Sequence, residues 1–248
     1  MNTIYILWLR QITRYRRSRA RMLTSLTQPL MFFLAFGFGF GSVYQKAGGG
    51  DYIQFLAPGI IAMTVMTSAV LSGIDLIWDK QFGFLKETLV APVSRTTIMF
   101  GRTLGAATVS FFQGFLVFVF TVIIGFRPEN YLLIPLAFLF MILIAFLFTA
   151  LGTAIASVVS DMHAFPLVMN FLVMPLFFLS GALFPLHDLP LALKILNRID
   201  PLTYGVDGMR YFLINISSFS PVLDLAVLLV FIFFIMTIGV ALFRRIEV

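Results

Sequence analysis

Six long runs of the chain carry almost no charge, and they constrain it more than anything else in the sequence. They cover residues 23–44, 55–78, 103–126, 131–159, 165–184 and 221–243. An α-helix rises about 1.5 Å per residue, so roughly 20 apolar residues cross the ~30 Å hydrocarbon layer of a bilayer. Backbone polar groups at that depth must be satisfied internally, which leaves helices or closed barrels. Continuous apolar runs, rather than alternating ones, select helices. Composition agrees: 60% of the residues are hydrophobic and 11% are charged, against about 25% charged in a soluble domain. The expected fold class is an all-α membrane protein forming one transmembrane domain over 1–248. It has six transmembrane helices, an N-terminal amphipathic interfacial helix, and two short half-inserted outer helices before the last span.

Lys and Arg fix the expected orientation. Twelve of the 17 lie before residue 23, in the 79–102 loop or after residue 243. The other five are Lys46, Arg127, Lys194, Arg198 and Arg210. The positive-inside bias then puts both termini in the cytoplasm and the chain in the inner (cytoplasmic) membrane as a multi-pass protein. The net charge of +6 reads as topology and contact with anionic headgroups. No basic-aromatic patch points to nucleic acid. Six arginines precede the first apolar run, which is too long for a signal-peptide core, so no cleaved leader is expected.

Three connecting segments have character of their own. In 1–22, Ile4, Trp8, Ile12 and Tyr15 share one helical stripe and Arg10, Arg14, Arg17 and Arg21 another, which predicts a helix lying on the membrane. The 79–102 loop has room for one short helix, with Phe84, Leu85, Thr88 and Leu89 on one face, Lys86 and Glu87 opposite, and Pro92 ending it. The 185–220 segment is too apolar for a solvated loop. Its Asp200–Pro201 pair reads as an N-cap and first helical residue, and its Asp207 and Arg210, at i and i+3, are placed to pair.

Several chemistries are excluded. There are no cysteines, hence no disulfide or thiolate metal site. His163 and His187 have no ligand neighbours at helical spacing. No hydrolase, metalloprotease or P-loop pattern is present, and Gly48–Gly49–Gly50 reads as a flexible turn. The span centres lack ionisable residues. Because a charge there costs at least about 2.5 kcal/mol and marks ion-coupled carriers, an ion-driven mechanism is disfavoured. Asp75, near the end of the second run, reads as a packing or interfacial residue. Gly37 and Gly41, and Gly101 and Gly105, are close-approach pairs that fit packing within one chain or a dimer seam. Pro166, Pro175 and Asn170 in the fifth run, and Gln113 in the third, fit either static packing or a pathway lining.

Two stretches carry a resemblance. The first is Lys86–Glu87–Thr88–Leu89–Val90–Ala91–Pro92–Val93–Ser94–Arg95, closing on Gly101–Arg102. The second runs from Phe178–Leu179–Ser180–Gly181–Ala182–Leu183–Phe184–Pro185–Leu186 through Leu189–Pro190 to Asp200–Pro201–Leu202–Thr203–Tyr204–Gly205–Val206–Asp207–Gly208–Met209–Arg210–Tyr211. Together they are similar to the permease subunits of type 2 ABC exporters, a group that includes drug-resistance, nodulation-factor and polysaccharide export permeases. The resemblance covers nearly the whole chain. It implies a permease subunit with no catalytic site, cofactor or metal of its own, paired with a second, identical permease and with two ABC ATPase subunits that hold the ATP and magnesium. It implies ATPase coupling through Glu87, Pro92, Ser94 and Arg95, with a second contact at Asp161 and His163. The substrate path implied runs along spans two and five, past Met63, Met66, Asn170, Met174, Phe177 and Phe178. That aromatic and Met-rich set favours a lipophilic, drug-like or lipid cargo. A polysaccharide or glycoconjugate exporter of the same family is the alternative, and a stand-alone secondary transporter the next.

Overall fold

The computed structural model describes residues 3–46, 50–185 and 190–246, without the side chains of residues 19–21. Gly48, Gly49, Leu186, His187 and Leu189 lie outside the described residues, as does the side chain of Arg21. The described elements are helical: α1 (Thr3–Arg17), α2 (Arg19–Lys46), α3 (Tyr52–Leu71), α4 (Ile74–Gln81), α5 (Phe84–Val90), α6 (Arg95–Ile124), a 3₁₀ turn (Tyr131–Leu133), α7 (Ile134–Val158), α8 (Ala164–Leu179), α9 (Leu191–Ile199), α10 (Pro201–Ile214) and α11 (Pro221–Arg244). Among them, five stretches are long and apolar enough to cross a membrane: Met22–Lys46, Tyr52–Gln81, Arg95–Ile124, Tyr131–Val158 and Pro221–Arg244.

The fifth expected span is where the structure departs from the sequence reading. α8 stops at Leu179, giving 16 residues rather than the 20 of 165–184. At about 1.5 Å per residue it is roughly 24 Å long, short of a ~30 Å hydrocarbon layer. The stop is local. Ser180 donates its hydroxyl back to Phe177 O, and Gly181 then takes a left-handed φ of 74°, which glycine adopts without strain.

α3 forms the centre, buried along most of its length and packed against α2, α6, α7 and α10. Close helix approach holds this core together. A Cβ on Gly152 of α7 would meet Val70 O at 2.4 Å, and one on Gly73 would meet Gly152 O at 2.5 Å, so the backbones touch where no side chain fits. α11 sits outside, with Val222 and Phe233 each more than 70% exposed, as a helix whose solvent is hydrocarbon can be.

The N-terminal segment also differs from its expectation. It is not one helix over 2–22: α1 ends at Arg17 and α2 begins at Arg19. The Ile4–Trp8–Ile12–Tyr15 stripe turns towards α6 rather than serving only a lipid surface. Tyr15 is buried and Trp8 Nε1 donates to Thr108 Oγ1 at 3.1 Å. Gly101 and Gly105 make the seat: a Cβ on Gly105 would lie 2.8 Å from Gln11 Cβ. That glycine pair therefore packs within one chain, whereas Gly41 meets nothing within 4 Å.

Hydrogen bonds sort the connections into two ends. At one end, Lys80 Nζ donates to Ala156 O and Ser157 O, Gln81 Nε2 to Ser160 O, and Arg95 to Arg244 O and Ile246 O. At the other, Tyr52 donates to Leu183 O, Gln54 Nε2 to Gly125 O, and Glu129 N to Leu213 O. The expected two short helices between residues 185 and 220 are α9 and α10. Asp200 does N-cap α10, accepting from Leu202 N at 2.9 Å, with Pro201 first in the helix.

Candidate functional site

The first site to consider is the end that carries α5. Gly83, with a φ of 80°, reverses the chain after α4 and starts α5. Leu85 is its one buried residue, while Phe84, expected to share a face with it, is 53% exposed. Glu87 is exposed on the other side. α1, α4 and α5 enclose an open groove of about 760 Å³. Arg10, Arg14 and Arg17 line it from α1, Phe82, Phe84 and Glu87 from the loop. An exposed aromatic cluster rimmed by charge is the surface chemistry of a protein or membrane contact.

The remaining residues assigned to coupling have local bonds of their own. Pro92 lies just beyond the end of α5. Ser94 N-caps α6, accepting from Thr97 N at 3.1 Å. Arg95 ties α6 to the C-terminal end of α11 through Arg244 O and Ile246 O. In the 159–163 turn, Asp161 accepts from His163 N at 2.7 Å. Gln81 of α4 donates to Ser160 O in this turn, and Lys80 to Ala156 O and Ser157 O at the end of α7 just before it, so both expected contact loops share one end of the bundle.

Beside the groove lies an ion-pair network the sequence reading missed. Asp75 and Asp79 sit at i and i+4 on α4. Arg102, expected to close the loop, lies instead inside α6. Its Nη1 is 2.6 Å from Asp79 Oδ2, and both side chains are at most 5% exposed. Arg10 reaches Asp79 Oδ1 at 2.9 Å, and Arg14 lies 3.4 Å from Asp75. The arginine stripe of α1 is thus spent largely on protein carboxylates. The legible signal was two aspartates one turn apart facing arginines one turn apart.

The second site is a partly open pocket among the helices. α1, α2, α3 and α6 surround a cavity of about 420 Å³. Its polar lining includes Gln11, Tyr15, Ser25, Thr67, Ser68 and Gln113. Gln113 Nε2 donates to Ser25 Oγ at 2.9 Å, while Gln113 Oε1 and Thr67 Oγ1 are buried without a hydrogen-bond partner. Burial pushes the Tyr15 hydroxyl above its ordinary range.

Of the six residues of the expected substrate path, Asn170, Met174 and Phe178 share one face of α8, and the other three lie apart from them. Met63 lines this cavity, but Met66 and Phe177 are buried in the core. Asn170 and Phe178 lie on the open face of α8, with Met174 half-buried beside them. The Asp207–Arg210 pair also resolves differently. Asp207 accepts from Ser218 N and Phe219 N at 2.8–2.9 Å. Arg210 donates to Gly181 O and Phe55 O, with its guanidinium 3.9 Å from the Phe55 ring centre. Desolvation pushes the Asp207 carboxyl up and the Arg210 guanidinium down, the latter to about 10. Their bonds pin α10 to the neighbouring loops instead of to each other. Asp224, in the first turn of α11, is fully buried with both carboxylate oxygens unpartnered.

A core helix buried by backbone-close packing, several helices of membrane-crossing length around it, and a loop helix held at one end describe an α-helical membrane domain. The chain belongs to the ABC-2 type transporter family, whose sequence model matches residues 2–214. It is similar to a putative transport permease, ycf38, of Cyanophora paradoxa, 30% identical over 98% of this chain and 88% of that protein. It is similar to the inner membrane transport permease YadH of Escherichia coli K12, 28% identical over 91% of this chain and 88% of the other. Nodulation protein J of Rhizobium leguminosarum bv. trifolii is 27% identical over 96% of this chain and 91% of its own.

Proposed function

We propose that this chain is the permease subunit of an ATP-driven exporter in the inner membrane, working as a pair of identical permeases with two separate ABC ATPases. The observation that carries the reading is the groove between α1 and α5. It offers exposed aromatics, Arg17 beside the carboxylate-paired Arg10 and Arg14, and Glu87 on a short helix. That helix follows α4 across the turn at Gly83, and α4 is tied through Lys80 to the C-terminal end of α7 and through Gln81 to Ser160 O. A push on α5 therefore reaches α7 through α4. In this reading the α5 end is cytoplasmic, Glu87 meets the ATPase, and the 159–163 turn is the smaller second contact. Ser94 and Arg95 act by fixing where α6 starts. The chain carries no chemistry of its own, and ATP and magnesium stay on the partner. The cargo is lipophilic or amphiphilic, since the exposed face of α8 offers Leu167, Phe171 and Phe178 with a single amide, Asn170, among them.

The test is charge reversal at Glu87 in the permease–ATPase complex reconstituted in vesicles. Glu87 is exposed, so Glu87→Arg is expected to change stability by no more than about 0.5 kcal/mol. Assembly and melting temperature stay as in the wild type, and ATP-dependent transport is lost. Normal transport by an assembled Glu87→Arg complex would contradict the coupling role.

A further inference from the structure

We propose that the cavity between α1, α2, α3 and α6 binds the uncharged, hydroxyl-rich headgroup of an amphiphile, one per chain. The proposal rests on the permease reading for its purpose, but not for its test. Four observations carry it.

The first is size. About 420 Å³ is the volume of a small-ligand pocket, far above the ~30 Å³ share of one water. The second is unmet hydrogen bonding. Gln113 Oε1 and Thr67 Oγ1 are buried and unpartnered, and such groups cost roughly 1–3 kcal/mol each when left so. The third is the direction of the bonds already made. Thr64 gives its hydroxyl proton to Ile60 O, Ser72 to Ala69 O, and Ser110 donates to Ala106 O. These hydroxyls line the cavity with lone pairs left over. Thr67 and Tyr15 add hydroxyls without a partner, so with Gln113 Oε1 the lining presents acceptors and donors together, which selects a ligand that both donates and accepts. Hydroxyl groups satisfy that without bringing charge.

The fourth is electrostatic. The charged lining residues are Arg14 and Asp75, 3.4 Å apart, so the ion pair at the floor is already balanced. An ammonium or phosphate group entering would face no uncompensated opposite charge. The amphiphilic part follows from position. Met63, Leu71 and Val109 complete the lining, and the three long helices around the cavity are all of membrane-crossing length. A ligand reaching it with an apolar tail meets apolar surface.

The test uses the full chain in phosphatidylcholine nanodiscs and an alkyl glucoside with a diazirine in its alkyl chain. Saturable photolabelling is expected on peptides of α2, α3 and α6. Unlabelled alkyl glucoside should displace it, and an alkyl phosphocholine of equal chain length should not. Thr67→Val with Gln113→Leu removes both unmet groups while keeping side-chain size, and should raise the half-saturation concentration at least ~10-fold, a tenfold change being 1.4 kcal/mol. Ala106→Leu fills the cavity without removing a polar group and should abolish labelling, so the result stands even where the double variant is unstable. Free glucose displacing the probe as well as the glycoside would uphold the polyol chemistry and assign a soluble source. Labelling unchanged in both variants, or equal displacement by the phosphocholine, overturns the proposal. ATP hydrolysis by the ATPase-bound complex, read in parallel, separates that failure from a failure of the permease reading.

Discussion

At the scale of single residues, the ion pair of Arg102 with Asp79 is the feature most exposed to perturbation. Both side chains are almost completely removed from solvent and 2.6 Å apart. Taking one partner away leaves a desolvated charge, which costs about 3–5 kcal/mol, whereas an apolar replacement of both is often near neutral. Asp79→Leu alone should therefore lower the detergent melting temperature sharply, and Asp79→Leu with Arg102→Met should restore most of the loss. A double variant as unstable as the single one would show that Arg10, which also bonds Asp79, carries the network. The sequence reading took Asp75 as an interfacial or packing residue, and in the structure it lies 3.4 Å from Arg14 in an ion pair. It passed over Asp79 because the apolar run ends at Trp78, so periodicity in hydrophobicity gave no reason to look one residue further. Gln113 was legible as a polar residue in an apolar span, but not its unmet oxygen, which depends on where Ser25 of another helix falls.

At the scale of elements, helix existence followed from apolar length, and helix partners did not. α6, α7 and α11 match their expected runs to within a few residues at most ends, because a bilayer-length apolar run has few alternatives, while the second run, 55–78, is divided between α3, which ends at Leu71, and α4. α6 is the exception at its start, beginning at Arg95 because Ser94 caps it there, well before the apolar run. The capping pair Asp200–Pro201 was readable from chemistry alone. α8 was read too long because the apolar run continues through Ala182–Leu183–Phe184 after the backbone has turned at Gly181. The α1 stripe was read as membrane-facing because an amphipathic helix looks alike whether lipid or protein covers it. Gly101 and Gly105 were the clue to the second case. Gly105→Leu should drive α1 off α6, since even a Cβ would sit 2.8 Å from Gln11. Overpacking of this kind costs about 1–3 kcal/mol. Accelerated proteolysis within residues 3–17, with the rest of the chain resistant, is the expected readout; wild-type resistance would mean the seat is not tight.

For the whole molecule, the two ends defined by hydrogen bonding match the division drawn from Lys and Arg. Arg10, Lys80, Arg95, Arg102 and Arg244 gather at the α5 end. Arg127 and Arg210 lie at the other. What a single chain's sequence does not carry is its neighbours. The exposed faces of α8 and α11 look the same to composition whether lipid or another copy covers them. Symmetric pairing is the commonest way to cover such a face, and a seam between two copies can open where a core like that around α3 cannot. The energy source is a neighbour too, since membership of the ABC-2 type transporter family implies an ABC ATPase as partner. The most direct measurement is the native mass of the complex purified in mild detergent with its candidate ABC ATPase. The account predicts two 27.9 kDa chains with two ATPase subunits. A single chain that moves substrate across vesicles with no ATPase present would contradict it.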